Sequence, residues 1–190
     1  MTNIILCGCG ALGSHIAMGI GRHGDRFTLY DDDKIEHVNV QTGTSAFSFE
    51  NIGRWKSRTL AAMLVRKYGV DAENSTRTVA NPMAFSPDNC DILIDCFDNI
   101  EARAFTTVAG VPTVHVSIGE HGLGAIEWDD VFQLPSQGYA RGENPVCTNQ
   151  LGRNLILFTS AVASVIINKY LSTGKKESAY VDVKSLEVYR

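Results

Sequence analysis

Short apolar runs alternate along the chain with stretches in which apolar residues recur every three or four positions. The first run, Asn3–Cys7, leads into a helical pattern containing Ile16 and Ile20, and a second run follows at Phe27–Tyr30. Apolar runs bounded by turn residues are typical of buried strands, whereas recurrence at three- and four-residue steps is typical of helices. The beginning of the chain therefore predicts a strand, a helix that ends between residues 21 and 24, and a second strand.

The alternation continues through the first two thirds of the chain. Further strands are predicted at Ser75–Val79, Asp91–Cys96, Thr113–Ile118 and Leu123–Trp128. Helices are predicted at Gly53–Tyr68, Asn99–Ala109 and Leu155–Leu171. Strands and helices in alternation favour an α/β fold built on a mostly parallel sheet with right-handed crossovers.

Two polar stretches interrupt this pattern, and the C-terminal tail departs from it. Residues 33–49 and 134–149 predict long loops, and the first of these, the crossing segment, runs from the second strand to the next helix. The tail, Ala179–Tyr189, alternates apolar and polar residues and predicts a two-stranded antiparallel ribbon. A chain of 190 residues is long enough for one domain with a substantial core, so we expect a single domain over residues 1–190.

Charge, hydropathy and cysteine content exclude several classes of protein. A net charge of -4 and a pI near 5.7 argue against a broad basic face for nucleic acid, because phosphate neutralisation needs clustered Lys and Arg. No apolar run reaches the ~18 residues of a membrane-spanning helix, and the N-terminus has no signal pattern, so we expect a cytoplasmic protein that binds neither nucleic acid nor membrane. Five cysteines without paired spacing match neither a disulfide framework nor a four-cysteine zinc site.

The connection between the first strand and the first helix is rich in glycine. Gly8 allows a sharp turn, Gly10 lets a phosphate approach the backbone, and Gly13 allows the helix to pack closely on the strand. Free N–H groups at the start of the helix would then face the phosphate. Asp31, after the second strand, is placed to accept hydrogen bonds from ribose hydroxyls. Because glycines also occur in ordinary strand-to-helix connections, these residues predict a nucleotide site without identifying the nucleotide.

The residues that follow the turn form an ordered series of polar positions. The series consists of Asp31, Asp33, Glu36, Asn39–Gln41, Lys56, Asp95–Asn99 and Arg103. In order and spacing it resembles the ThiF/MoeB superfamily of ubiquitin-activating-enzyme-like adenylyltransferases. The resemblance covers essentially the whole chain and weakens between residues 120 and 149. We therefore expect a Rossmann-like, mostly parallel sheet flanked by helices, with the antiparallel ribbon at the C-terminus.

The resemblance also implies an activity. Enzymes of this superfamily bind ATP and Mg²⁺ and adenylate the C-terminal carboxylate of a small ubiquitin-like or sulfur-carrier protein that ends in Gly-Gly, and they form dimers, so a homodimer is expected here. Adenylation brings a carboxylate against the α-phosphate of ATP. The site therefore has to supply cations that offset the repulsion and stabilise the departing pyrophosphate.

Lys56 and Asn39 are the candidates for contacts with phosphate. Lys56 lies near the start of a predicted helix, from which its ammonium would reach a triphosphate; the alternative is a solvated surface lysine. Asn39 would donate hydrogen bonds to phosphate oxygens from the crossing segment. The alternative for Asn39 is a turn residue that stabilises its own backbone.

Asp98 and Arg103 follow the buried strand at its carboxyl end, the edge where open α/β sheets bind ligands. In the related enzymes the aspartate that matches Asp98 holds Mg²⁺, an ion that takes few protein ligands. The alternative for Asp98 is the N-cap of the next helix. Arg103 would contact the nucleotide or form a structural ion pair that holds the loop between Asp95 and Asp98. With Asp31 on the ribose, Asp33 is expected to order the loop.

Cys147 lies in the second long loop, just before the last predicted helix. Thiamine-pathway members of the superfamily carry a cysteine there that is involved in sulfur or thioester chemistry. A nucleophilic thiolate needs a cationic neighbour or a helix N-terminus to lower its pKa, and Arg153 and the start of the last helix are nearby in sequence. The alternative is a loop cysteine without function.

The sequence departs from the family pattern at three points. Thr42 stands where the usual Asn-Leu-x-Arg-Gln motif has an arginine for the γ-phosphate, which removes a charge-assisted contact worth about 1.5–3 kcal/mol. Arg54 and Arg58 are candidate substitutes. Because the first strand begins at Asn3, we expect no N-terminal extension with a second arginine, and the zinc-binding C-x-x-C pairs are missing from this sequence. Two alternatives to an adenylating enzyme follow: a non-catalytic nucleotide-binding partner of the same fold, and an NAD-dependent oxidoreductase.

Overall fold

The computed structural model describes residues 1–76, 87, 89–119, 122–135 and 151–190. The strands are β1 (Asn3–Cys7), β2 (Arg26–Tyr30), β3 (Asp71–Ser75), β4 (Ile92–Asp95), β5 (Thr113–Ile118), β6 (Leu123–Trp128), β7 (Ala179–Asp182) and β8 (Glu187–Tyr189). The helices are α1 (Ala11–Ile20), α2 (His37–Gln41), α3 (Lys56–Tyr68), α4 (Ile100–Thr107) and α5 (Gly152–Thr173), with a short 3₁₀ helix at Phe49–Asn51.

All eight described strands form one sheet in the order β3-β2-β1-β4-β5-β6-β7-β8. The first five in this order are parallel, and β6, β7 and β8 continue the sheet in antiparallel pairing. The central strands are buried because helices cover both faces, as parallel sheets require. This arrangement confirms the expected Rossmann-like fold with an antiparallel C-terminal part.

Three helices lie side by side on one face of the sheet, with α1 between α3 and α5. The hydroxyl of Tyr68, at the end of α3, donates to the carbonyl of Met18 near the end of α1 at 2.5 Å. Arg22, just after α1, donates to Asn168 in the last third of α5 at 2.9 Å. The three helices therefore run with the same polarity, and their N-termini lie at one edge of the sheet. On the opposite face, a smaller cluster of buried residues includes Leu93 of β4 and the side chain of Phe105 of α4.

The boundaries of β1, β5 and β6 agree with the sequence, but the third strand does not. It was predicted at residues 75–79, of which residues 77–79 lie outside the described residues, and β3 is found at Asp71–Ser75. This prediction was wrong because β3 is an edge strand of polar sequence, Asp-Ala-Glu-Asn-Ser, held by backbone pairing with β2 alone. Hydrophobic patterning does not detect a strand that buries so little apolar surface.

α1 ends at Ile20 and α4 spans Ile100–Thr107, slightly short of their predicted bounds, and three larger differences concern α3, the crossing segment and α5. α3 begins at Lys56, later than the predicted Gly53, and ends as expected before Gly69, whose left-handed φ of +67° terminates it. The crossing segment contains α2 instead of an uninterrupted loop. α5 is longer than predicted and is the one described helix whose length and composition would allow it to span a membrane, yet it packs against α1, β5, β6 and β7.

Candidate functional site

The glycine turn between β1 and α1 makes the close contacts that its spacing predicts. Gly8 has a φ of +87°, and its N–H donates to the carbonyl of Tyr30 at 2.9 Å, which ties the turn to β2. A methyl group on Gly13 would lie 1.9 Å from the carbonyl oxygen of Gly8, so only glycine allows α1 to pack on the turn. A methyl group on Gly10 would meet no atom within 4 Å. The first and third glycines shape the turn, and the second leaves space at the N-terminus of α1.

Asp31 joins this turn to the crossing segment. Its buried carboxylate accepts the backbone N–H groups of Cys9 at 2.7 Å and of Asp33 at 2.9 Å. Burial raises the pKa of Asp31 above its ordinary value, although the ammonium of Lys56 and the two N–H donors lower it. Asp31 thus orders the turn, while Asp33 ties the crossing segment to α3 through its own ion pair with Lys56, in keeping with the loop-ordering role expected of it. Its carboxylate oxygens retain further acceptor capacity, so the ribose contact stays a prediction.

Lys56 is the first residue of α3, and its ammonium is attracted by three carboxylates. Its Nζ lies 2.8 Å from Oδ2 of Asp33, and 12% of its side chain is exposed. Burial lowers the pKa of Lys56, but Asp31, Asp33 and Asp98 together outweigh this effect, and the pKa is raised above its ordinary value. The ammonium therefore stays charged at neutral pH, and it is paired and mostly buried instead of freely solvated.

Asp98 lies in the loop after β4 and is exposed. The N-cap of α4 is its neighbour Asn99, whose Oδ1 accepts the N–H of Ala102 at 2.8 Å. The interpretation of Asp98 as an N-cap was therefore wrong. Since the helix cap does not use it, the Asp98 carboxylate faces solvent at the edge of the sheet and acts electrostatically on Lys56.

Asn39 takes part in a reciprocal capping box at the start of α2. Its Oδ1 accepts the N–H of Glu36 at 2.8 Å, while the side chain of Glu36 accepts the backbone N–H of Asn39. The structure therefore shows the local role that the sequence left as an alternative. The amide NH₂ group of Asn39 is not used by this box, and a contact with phosphate through it stays a prediction.

Arg103 is buried in a polar network beneath the loop that follows β4. Its Nε donates to the carbonyl of Phe97 at 2.7 Å and its Nη2 to the carbonyl of Val116 at 2.8 Å. Its Nη1 is 3.9 Å from Oδ2 of Asp95. These contacts hold the loop against β5, which is the structural role considered from the sequence; a contact with nucleotide stays a prediction.

The centre of this network is Asp95, whose side chain is fully buried. Its Oδ2 lies 2.7 Å from Nδ1 of His115 and accepts the hydroxyl of Thr106 at 3.1 Å. The ring of His115 stacks on Phe132 at 3.8 Å between centroids. Sequence reasoning missed His115 and Thr106. The only signal was a histidine within the apolar run of β5, next in the sheet to a strand that ends in aspartate.

The described cysteines are packing residues. Burial is the main cause that raises the pKa of Cys7, Cys9 and Cys96, so these thiols stay protonated. Burial likewise raises the pKa of Cys90 to about 11. Cys147 lies outside the described residues, and its proposed nucleophilic role stays a prediction.

Strand register explains why these groups meet at one edge. Cys7 at the end of β1 is in register with Tyr30 of β2 and with Asp95 of β4, so the residues after all three strands emerge together. This edge carries the N-terminus of α1, which no side chain of the described residues caps, together with the Lys56 ammonium and the exposed Asp98 carboxylate. The backbone N–H groups of α1 and the Lys56 ammonium suit a triphosphate, and the exposed Asp98 carboxylate suits a hydrated divalent cation.

The sheet order and the glycine turn at its carboxyl edge define the class of Rossmann-like α/β folds. Similar folds include E. coli MccB crystallised with ATP, at 15% identity and a TM-score of 0.73 over 99% of this chain and 62% of MccB. The microcin C7 biosynthetic enzyme MccB in complex with N-formylated MccA aligns at 14% identity with a TM-score of 0.68, over 99% of this chain and 63% of that MccB chain. PaaA aligns at 11% identity with a TM-score of 0.69, over 100% of this chain and 72% of the PaaA chain.

The family model described as the ThiF family matches residues 1–118. The chain belongs to the ThiF family, as the resemblance of its motifs predicted. It spans less than two thirds of the length of the MccB chains. No curated protein sequence matches it significantly.

Proposed function

We propose that this chain binds ATP and uses it to adenylate the C-terminal carboxylate of a small polypeptide. The observation that carries the proposal is Lys56, a mostly buried ammonium that is charged at neutral pH and lies beside the N-terminus of α1. A cation held in this position offsets the repulsion between an attacking carboxylate and the α-phosphate. Its ion pair with Asp33 fixes the ammonium before the nucleotide arrives, so no reorganisation is needed at the moment of reaction.

Each predicted binding residue has a place in this proposal. The phosphates lie over the backbone around Gly10, between the turn glycines Gly8 and Gly13. Asp31 accepts from the ribose, and the amide of Asn39 donates to a phosphate oxygen. Arg103 supports the site from below by holding the loop that carries Asp98.

Asp98 is the residue that would hold Mg²⁺. Mg²⁺ is commonly bound through one or two carboxylates, its own waters and substrate phosphates, so a single exposed carboxylate beside the phosphate site fits this ion. Among the described residues there is no group of three or more metal-ligating side chains. When bound, the ion would neutralise charge on the β- and γ-phosphates.

The reaction balances without a proton transfer. One oxygen of the substrate carboxylate forms a bond to the α-phosphorus, and the bond from that phosphorus to the bridging oxygen of the β-phosphate breaks. The products are an acyl-adenylate and pyrophosphate. Lys56 stabilises charge on the phosphoryl oxygens throughout. Cys147 acts only after adenylation: its thiolate attacks the acyl carbon, the bond to the phosphate oxygen breaks, and a thioester and AMP result.

The substrate we favour is a ubiquitin-like or sulfur-carrier protein ending in Gly-Gly. The MccB structures with MccA support a wider substrate class, since there a similar fold is in complex with N-formylated MccA. In this proposal, either class of substrate presents its C-terminal carboxylate to the site. A homodimer, a single domain and a cytoplasmic location complete the proposal.

Exchange of labelled pyrophosphate into ATP tests it. The chain is mixed with a small ubiquitin-like protein ending in Gly-Gly, and the matched control is the same protein with an amidated C-terminus. Exchange that occurs with the free C-terminal carboxylate but not with the amidated control supports adenylation. ATP binding in calorimetry without exchange, repeated with short peptides, would favour the non-catalytic alternative. Binding of NADH in place of ATP would favour the oxidoreductase.

A further inference from the structure

Arg153 lies at the second position of α5, where its guanidinium packs on the backbone of Gly43 in the crossing segment. Gly43 has a φ of +62°, and a methyl group there would lie 3.1 Å from Cζ and 3.2 Å from Nε of Arg153. The guanidinium also lies close enough to His15 of α1 to contribute to the lowering of its pKa, and the imidazole of His15 forms a hydrogen bond with the backbone of Thr44. Arg153 therefore bridges α5, the crossing segment and α1.

The polarity of the helices places Arg153 at the edge that carries the candidate site. α1 lies between α3 and α5, and all three begin at this edge. Lys56 is the first residue of α3 on one side of α1, and Arg153 is the second residue of α5 on the other. Two cations thus lie at this edge on opposite sides of α1.

The charge of Arg153 lacks compensation within the described part of the chain. No described carboxylate forms an ion pair with it, and the first turn of α5 contains no acid. A cation at the N-terminus of a helix is also repelled by the helix dipole. Lys56, by contrast, is paired with Asp33, and Arg103 is buried beneath the loop after β4. The edge therefore carries an exposed guanidinium in a position that favours an anion.

The direction of the phosphate chain follows from where the ribose and the first phosphate are placed. With the ribose at Asp31 after β2 and the first phosphate over α1, the remaining phosphates extend away from β2, towards α5. We propose that Arg153 binds the β- or γ-phosphate of ATP from the α5 side. This proposal rests on the proposed function, because it assumes that the nucleotide is bound in this orientation.

Calorimetry with ATP, ADP and AMP tests the assignment. Arg153→Ala is expected to weaken ATP binding by about tenfold or more, the range of one charge-assisted hydrogen bond, while AMP binding changes less than about twofold. Arg153→Lys keeps the charge but not the planar fork and is expected to give an intermediate loss. Arg22→Ala is the matched control, since Arg22 also links the end of α1 to α5 through Asn168, but at the opposite edge.

The outcomes separate this proposal from the one on which it rests. Absence of ATP binding by the unsubstituted chain overturns both. ATP binding that is unchanged in Arg153→Ala, or an equal loss for ATP and AMP, overturns the role of Arg153 alone. Thermal unfolding of each variant shows whether it folds. If Arg153→Ala does not fold, the test is the loss of ATP binding relative to AMP binding in Arg153→Lys.

Discussion

At the scale of single residues, the molecule uses charge in two different ways. Lys56 is a mostly buried cation at the edge of the sheet, attracted by three acids, whereas Asp95 is a fully buried acid in contact with donors. The first arrangement keeps a charge available at the sheet edge. The second uses a charge to hold the loop after β4 in place. Replacing each residue is expected to affect a different property.

Lys56→Ala removes the ammonium beside the open end of α1. We expect the rate of ATP–pyrophosphate exchange to fall by about 10²–10³-fold, as for loss of a preorganised stabilising group. The exposed Arg66, in the last turn of the same helix, provides the control, and Arg66→Ala should retain exchange within about twofold. Undiminished exchange in the lysine variant would contradict the role assigned to it.

Asp95→Ala leaves His115 and Arg103 without their buried acceptor. We expect the free energy of unfolding, measured by urea denaturation, to fall by about 3–5 kcal/mol, because removing one partner of a buried ion pair leaves polar groups uncompensated. The exposed pair of Asp71 and Arg26 is the comparison, and Asp71→Ala should cost no more than about 1 kcal/mol. Equal losses in the two variants would show that the network does not stabilise the fold.

At the scale of elements, the glycine turn separates folding from binding. Gly13→Ala places a methyl group 1.9 Å from the carbonyl oxygen of Gly8, so we expect a loss of at least about 3 kcal/mol in thermal or urea unfolding. The methyl group of Gly10→Ala would meet no atom within 4 Å, so the free energy of unfolding of this variant should stay within about 1 kcal/mol of that of the parent chain. Its ATP binding should be weaker. A stable Gly13→Ala chain would refute the close packing of α1 on the turn.

The C-terminal ribbon is tied to α5 by a cluster of charges around Glu177. Hydrogen bonds from Lys169 first and Lys175 second lower the pKa of Glu177 from its ordinary 4.5 to about 2. A lowered pKa means that the stabilisation is present above pH 4.5 and is lost as the pH falls from there through about 2. In carboxyl NMR titrations, Lys169→Ala should move the midpoint of Glu177 upwards, whereas Lys184→Ala, remote from Glu177 in the contacts described, should not.

At the scale of the whole molecule, ATP should stabilise the folded chain, because the proposed site combines elements from separate parts of the sheet edge. At a concentration of 100 times Kd, a ligand that binds only the folded state adds about 2.7 kcal/mol. For a domain of this size the expected rise in Tm is about 5–10 °C. Differential scanning fluorimetry with ATP, and with NADH as comparison, measures it; a rise with NADH alone would argue for the oxidoreductase.

Much of this architecture is encoded locally. Apolar runs predicted β1, β5 and β6 because β1 and β5 bury most of their side chains in the core and β6 buries every second residue. Three glycines predicted a turn whose contacts the structure bears out, and the order of Lys56 and Asp98 with their neighbours identified the ThiF family. These features depend on short stretches of chain, where residue type and spacing directly limit the backbone.

Only the tertiary structure decided which partner each polar group takes. Asn39 caps its own helix through Oδ1 and its backbone N–H, while a contact of its amide NH₂ group with a ligand stays a prediction. The buried acceptor of His115, and the contact of Arg153 with Gly43, join residues that are far apart in sequence. Sequence determined the buried strands, the turn and the family, though not the polar edge strand β3, because local sterics and hydrophobic periodicity are properties of neighbouring residues. Ion pairs, register and helix polarity arise only when distant segments pack together, which no local pattern specifies.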